Sequence, residues 1–278
     1  MPDRSGHPET PLGSELEAVS DHARRPAAGH GPVATARALI RRAFAICVLT
    51  GAGISTQSGI PDFRGPEGLW TKNPGAQRLS TLAHYIQDQD FRVETWRRRA
   101  FAGGPPPQPN AGHRALVELE AAGRLELLIT QNVDGLHRLA GTSPDRLVEL
   151  HGSLREQVCL ACGRRGPMAE VLERVRHGDL DPHCQACGGI LKSAAISFGQ
   201  RLEPAELARA EAGARSCDLF LAVGTRLEVF PAAELPAIAL HSGAPLVVVN
   251  QEPTSYDRRA AAVIRSPIGE VLGALLSA

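Results

Sequence analysis

The sequence has no excess of charge of either sign. Thirty Lys and Arg offset thirty Asp and Glu over 278 residues, so no global field draws the chain onto DNA, RNA or an anionic membrane. The densest basic stretch, RVETWRRR with Arg92, Arg97, Arg98 and Arg99, reads as a solvated helix face, and no direct nucleic-acid binding is expected. No apolar run approaches the roughly 20 residues of a membrane span, and the first residues lack the apolar core of a secretory signal. A soluble, cytoplasmic protein with no membrane partner is expected. Six cysteines are too few for a disulfide scaffold in a chain this size. Four of them form two CxxC pairs, a pattern that in a cytosolic protein points to metal or redox chemistry.

Residues 1 to about 30 are rich in Pro, Gly, Ala and charge and nearly free of large apolar side chains; a mobile tail is expected there. A helical pattern runs from Val33 to Ala43, and Phe44 to Leu49 is a continuous apolar run that suits a strand buried on both faces. Four similar runs follow, LELLIT (125–130), AAISF (194–198), LFLAV (219–223) and PLVVV (245–249). Helix-length stretches such as HRALVELEAAG, PAELARAEAGARS and AAELPAIALHS lie between most of them. Such alternation predicts an α/β fold, a doubly wound parallel sheet with helices on both faces. Two segments break the rhythm. Residues 66–108 are polar, Arg-rich and end in GGPPPQP, and residues 156–192 are short-looped and hold both CxxC pairs. Both read as insertions, the first a helical and cofactor-loop insertion, the second a metal module within a sheet domain of residues 31–155 and 193–278.

The stretch TGAGISTQSGIPDFRG, Thr50 to Gly65, follows the first apolar run. Gly51 and Gly53 stand where a backbone approaches a pyrophosphate closely, with the following helix aiming its N-terminal amides at the anion. The third glycine of the dinucleotide fingerprint is missing, since Thr56 occupies its place, and no acidic residue ends a second strand about 20 residues on. Those absences disfavour a dehydrogenase. A plain strand-to-helix turn remains the bland alternative, and IPDFRG reads as a loop able to close over a bound cofactor.

Cys159-x2-Cys162 and Cys184-x2-Cys187 are separated by 21 residues, close to the spacing of zinc ribbons. Four thiolates complete a tetrahedral shell with no open position for water, so the Zn2+ site predicted here is structural. A thioredoxin-like redox motif needs one reactive pair, not two. Cys47 and Cys217 read as core residues.

With GAGISTQSGIPDFRG, TQNVDGLH, LVELHGS, the paired CxxC, SFGQ, VGTRLEVFP and VVVNQEPT in this order, the chain resembles a sirtuin of the bacterial type over about residues 35–275. The resemblance implies a Rossmann-like domain bearing a zinc module and a helical insertion, and an enzyme that consumes NAD to remove acyl groups from lysine side chains. Carried over residue by residue, Gly51, Ala52, Gly53, Asp62, Phe63, Arg64 and Trp70 line the cofactor pocket. Gln131, Asn132 and Asp134 hold the nicotinamide carboxamide and ribose, and Asn132 and Asp134 also join the catalytic set. Gly224 and Thr225 lie under the phosphates, Asn250 meets the adenosine ribose and Ile268 the adenine. His151 is the implied general base, taking a proton from a ribose hydroxyl after the acyl oxygen has displaced nicotinamide. The products implied are free lysine, nicotinamide and O-acyl-ADP-ribose.

The same resemblance implies an acyl-lysine peptide added as a strand between Ser197, Phe198 and Gly199 on one side and Glu228, Val229 and Phe230 on the other. Two departures stand out. Arg226 replaces the serine of the family's GTSL, bringing charge and bulk near the phosphate loop, and Gln200 replaces the glutamate of FGE. A loose alignment places Glu94 and Arg97 where sirtuins selective for acidic acyl groups carry a Tyr-x-x-Arg pair, which disfavours such a pocket. FRGPEGLW and PTSYDRRA resemble the branch with long-chain deacylases and ADP-ribosyltransferases. Alternatives to the deacylase are therefore a mono-ADP-ribosyltransferase on the same fold, or a catalytically silent NAD or ADP-ribose sensor. The sequence carries no signal for an oligomeric state.

Overall fold

The computed structural model describes residues 31–63, 65, 68–73 and 81–277. The expected mobile tail, residues 1–30, and Arg64 lie outside the described residues.

Five residues without a charge make β1, Ile46–Thr50, which is buried along its whole length. It pairs in parallel with β2, Leu125–Thr130, and with β7, Leu219–Val223. Outward from these lie β3, Leu147–Glu149, beyond β2, and β8, Leu246–Val249, and β9, Ala262–Ile264, beyond β7. The order β3-β2-β1-β7-β8-β9 reverses direction at the β1/β7 pair. In a doubly wound sheet the crevice for a ligand opens there, beyond the carboxyl ends of the strands.

Residue alternation along these strands fills two cores. Ile46 and Val48 of β1 pack with α1, Pro32–Arg42, with α5, Ala111–Ala121, and with α10, Ile268–Leu276. Cys47 and Leu49 face the other way, into α8, Pro204–Ser216, and α9, Leu235–His241. Asn110 caps α5, accepting from the Gly112 and His113 amides while His113 returns the bond to its own amide.

A second, antiparallel sheet has the order β5-β4-β6: Arg165–Pro167, Glu156–Cys159 and Leu191–Ser193. Helix α7, Met168–Arg176, follows β5. Helices α2, Leu69–Lys72, α3, Leu82–Gln87, and α4, Gln89–Ala100, belong to the first insertion. Trp96 of α4 is fully buried in one cluster with Met168, Val171, Val175 and Leu191, so the two segments that break the α/β rhythm share a core.

Three expectations change. AAISF is not a strand: β6 ends at Ser193, and of residues 194–198 only Phe198 makes a bridge, to Thr81. No α-helix follows β1 directly; two short 3-10 turns, Ala52–Ile54 and Thr56–Ser58, do. Nor is RVETWRRR wholly a solvated face. Arg92 is buried, its Nε and Nη2 gripping the Asp181 carboxylate at 2.9–3.3 Å and its Nη1 bonding the Tyr85 and Ile86 carbonyls. A guanidinium can be buried when its donors are all matched in this way.

Candidate functional site

A cavity of about 850 Å³ opens at the β1/β7 switch point, large enough for a ligand of dinucleotide size. Five strands, β1, β2, β3, β7 and β8, end there, and the loops that leave them carry the floor.

After β1 the chain turns so sharply against the β7 loop that a side chain on Gly51 would meet the Gly224 carbonyl at 2.7 Å, and one on Gly53 the Gly224 Cα at 2.8 Å. These two glycines are required first by backbone packing. Their amides are spent there as well, Gly51 N–H on Val223 C=O and Gly53 N–H on Gly224 C=O, so neither N–H remains for a phosphate. Gly51, Ala52 and Gly53 still line the cavity, as do Asp62, Phe63 and Trp70. Asp62 accepts from the Gly65 amide at 2.9 Å, which folds the loop back. Phe63, Trp70 and Phe198 then form an aromatic row with centroids 4.8 and 5.5 Å apart.

The β2 loop supplies polar groups with fixed orientation. Gln131 Nε2 donates to Thr225 Oγ1 at 2.9 Å, and Asn132 Nδ2 donates to Gly51 C=O and to Ser55 Oγ, both at 3.1 Å. With both amide hydrogens of Asn132 used inward, its Oδ1 is the remaining acceptor. Asp134 is not part of the cavity lining. Its carboxylate lies behind, taking the Ser55 hydroxyl at 2.8 Å and the Leu136 amide at 2.8 Å. Ser55, almost fully buried, thus links Asn132 to Asp134. Its only sequence signal was a small hydroxyl residue following the apolar Ile54.

His151 follows β3 and lines the cavity. Its Nδ1 lies 2.9 Å from the Gln131 carbonyl. A carbonyl only accepts, so in the neutral ring the proton sits on Nδ1 and Nε2 keeps its lone pair. Burial lowers the His151 pKa below the usual histidine value, against the opposing effect of that backbone bond. The neutral base therefore persists at and below pH 7.

On the β7 loop, Gly224 at φ 64° and Leu227 at φ 59° both take the left-handed conformation. For Leu227 that conformation is strained, and it is held by the buried side chain, by Leu227 N–H on Thr225 Oγ1 and by Ser255 Oγ on Leu227 C=O. Arg226 bridges Glu228 at 3.1 Å and Glu252 at 3.0 Å. Asn250 Nδ2 donates to Glu252 C=O, and Asn250 and Ile268 are buried at the cavity edge. Ser197, Phe198, Gly199, Glu228, Val229 and Phe230 line the same cavity. The 197–200 segment is a closed turn in which Ser197 C=O takes the Gln200 amide and Phe198 C=O takes the Leu82 amide. Glu94 pairs with Arg98, not Arg97.

The four CxxC cysteines converge. Their Sγ atoms lie within 4.8 Å of one another, with Cys159–Cys187 at 3.5 Å and Cys162–Cys184 at 3.8 Å. Tetrahedral Zn–S bonds of about 2.3 Å separate sulfurs by about 3.8 Å, so the donor set fits zinc. Backbone amides of Cys162 and Ala161 lower the Cys159 thiol to about 6. Cys187, though a Gly189 backbone bond favours its thiolate, is pushed up to about 12 by the Cys162 and Cys159 sulfurs. Four thiolates at this spacing need a cation among them.

The model of the Sir2 family matches residues 51–231. The chain belongs to the Sir2 family. Among Sir2 relatives, NAD-dependent protein deacetylase 2 of Streptomyces coelicolor is 51% identical over 231 residues, 83% of this chain and 96% of that protein. The NAD-dependent protein deacetylase of Rhodopseudomonas palustris is 44% identical over 240 residues, 84% of this chain and 92% of that one. A solved structure described as "Sir2-p53 peptide-NAD+" superposes with a TM-score of 0.75 at 32% identity, over 86% of this chain and 95% of the other. Another, from work on the mechanism and regulation of Sir2 enzymes, reaches 0.78 at 36% identity over 88% and 96%.

Proposed function

We propose that this chain is an NAD-dependent protein-lysine deacetylase, accepting other acyl groups as well, that releases nicotinamide and O-acyl-ADP-ribose. One observation carries the reading. His151 presents a neutral, Nδ1-protonated imidazole to a cavity whose floor is the switch-point crevice of a doubly wound sheet.

NAD, when bound, supplies an electrophilic ribose carbon and a leaving nicotinamide. The chain's own residues hold and orient. Asn132, its amide hydrogens turned inward, offers Oδ1 to the carboxamide and ribose end, and Gln131 lies beside it. Asp134 acts through Ser55, fixing Asn132 instead of touching the ligand. Ala52, Gly224 and Thr225 bound the phosphates, while Asn250 and Ile268 close the adenosine end. His151 Nε2 accepts the proton of a ribose hydroxyl. The row Phe63, Trp70 and Phe198 excludes water and gives an acyl chain an apolar wall, which favours uncharged acyl groups.

The four cysteines bind one structural zinc, within a module of residues 156–192 set into a sheet domain of residues 31–155 and 193–278. The partner is an acyl-lysine protein or peptide lying between Ser197–Gly199 and Glu228–Phe230. Among the described residues no helix is long and apolar enough to cross a membrane. A panel of acyl-lysine peptides incubated with NAD tests the reading. Nicotinamide release matched by deacylated peptide supports it; label from NAD left on protein points to ADP-ribosyl transfer; no turnover of any acyl chain refutes it.

A further inference from the structure

Lysine is rarely found fully inside a protein, yet Lys192 in β6 is only 2% exposed. Its ammonium has three donors and meets three acceptors, Ser193 C=O at 2.8 Å, Ala195 C=O at 2.5 Å and Gln200 Oε1 at 3.3 Å. All three belong to the segment immediately downstream. Gln200 Oε1 also takes the Ser197 amide at 3.2 Å, while the Gln200 amide closes on Ser197 C=O. Within the same segment, Ile196 N–H donates to the His151 carbonyl at 2.7 Å. One buried charge therefore gathers the carbonyls and side chain that shape residues 193–200, and that segment is bonded to the backbone of His151.

We infer that Lys192 is a positioning residue for the acyl-lysine peptide: its ammonium folds residues 193–200 into the turn that presents Ser197–Gly199 to the substrate and holds that turn against His151. The inference rests on the deacetylase reading above. It explains why a cation is tolerated at this depth, since each of its hydrogens is matched. It also gives the Gln200 departure a consequence: where sirtuins usually carry a glutamate, this chain gives Lys192 a neutral acceptor.

The charged groups that face Lys192 are Arg99 from α4 and Arg165 from β5, both cations. Burial, reinforced by these two, lowers its pKa to about 8. The ammonium is complete below that value and loses one donor as pH rises through it. Peptide affinity then falls above about pH 8, while His151, already neutral, does not titrate in that range.

The test measures kcat, KM for an acetyl-lysine peptide and KM for NAD from about pH 7 to 9.5 in wild type, Lys192→Arg, Lys192→Met and Gln200→Ala. In wild type the peptide KM should rise above about pH 8, with kcat and the NAD KM flat. Lys192→Met should raise peptide KM about tenfold at pH 7, the worth of a charge-assisted hydrogen bond. Lys192→Arg should restore most of it and remove the rise with pH. Gln200→Ala, at the half-buried end of the network, should raise peptide KM about threefold by the loss of one hydrogen bond and serves if Lys192→Met does not fold. A peptide KM unchanged by Gln200→Ala and independent of pH in an active wild type would overturn this inference alone. A wild type inactive on every acyl-lysine peptide overturns the functional reading and this inference with it.

Discussion

The parallel sheet and the cysteine-bearing lobe are held together by different physics. Strands β1, β2, β7 and β8 are sandwiched between two large apolar clusters, and burial alone stabilises that arrangement. The lobe has a single small cluster, which includes two of its own cysteines, Cys159 and Cys184, and borrows Trp96 and Ala100 from α4. So small a core needs a metal or a staple. The groups proposed to bind and react at the cavity floor ride on the self-sufficient sheet, whereas residues 194–200, at the proposed peptide edge, leave β6 of the cysteine-bearing lobe. Cofactor grip and peptide grip should therefore fail separately.

The largest effect comes from breaking the lobe. Removing zinc with a chelator, or Cys159→Ala, should cost on the order of 10 kcal/mol of metal-linked folding energy in that lobe. Metal analysis should show loss of stoichiometric zinc, calorimetry should resolve a separate early transition, and NAD binding should outlast peptide binding. Trp96→Ala, emptying a fully buried indole site, should cost about 3–5 kcal/mol in the same lobe, read as a lowered first transition with the later one unmoved.

The next change strikes the sheet. Gly53→Ala forces a Cβ onto the Gly224 backbone and should cost about 1–3 kcal/mol, raising the KM for NAD with zinc content intact. Arg226→Ser should do least. Its ion pairs to Glu228 and Glu252 are about two-fifths exposed, worth under about 1 kcal/mol each, so both KM values should move less than about threefold. The Arg226 guanidinium lines the cavity but is engaged by two carboxylates, so it adds no free charge there.

The sequence made some of this legible and hid the rest for physical reasons. LELLIT and LFLAV coincide with β2 and β7, and PAELARAEAGARS with α8, because burial on both faces or on one helical stripe writes itself into composition. AAISF looked the same and is not a strand, because Ala195, Ile196 and Phe198 are apolar where they line a cavity, not where they fill a sheet. The edge strands β3 and β9 are three residues each, too short for any periodicity. The CxxC spacing announced four converging sulfurs, which are what the fold assembles. Ser55 and the retreat of Asp134 behind it depend on how two loops meet, and no local pattern carries that. Gly51 and Gly53 line the cavity and also make room for the Gly224 backbone, a second demand that no local pattern carries.

The central claim is that a half-buried, neutral His151 takes the proton in an NAD-dependent deacetylation. The most direct measurement is kcat/KM for an acetyl-lysine peptide against pH, at saturating NAD, in wild type and His151→Ala. On the acid side, wild type should lose activity only below the ordinary histidine pKa of about 6.5, since burial lowers that of His151, and His151→Ala should lose about 10²- to 10⁴-fold with NAD still bound. An acid limb at or above that value, or a His151→Ala enzyme of near wild-type rate, would contradict the account.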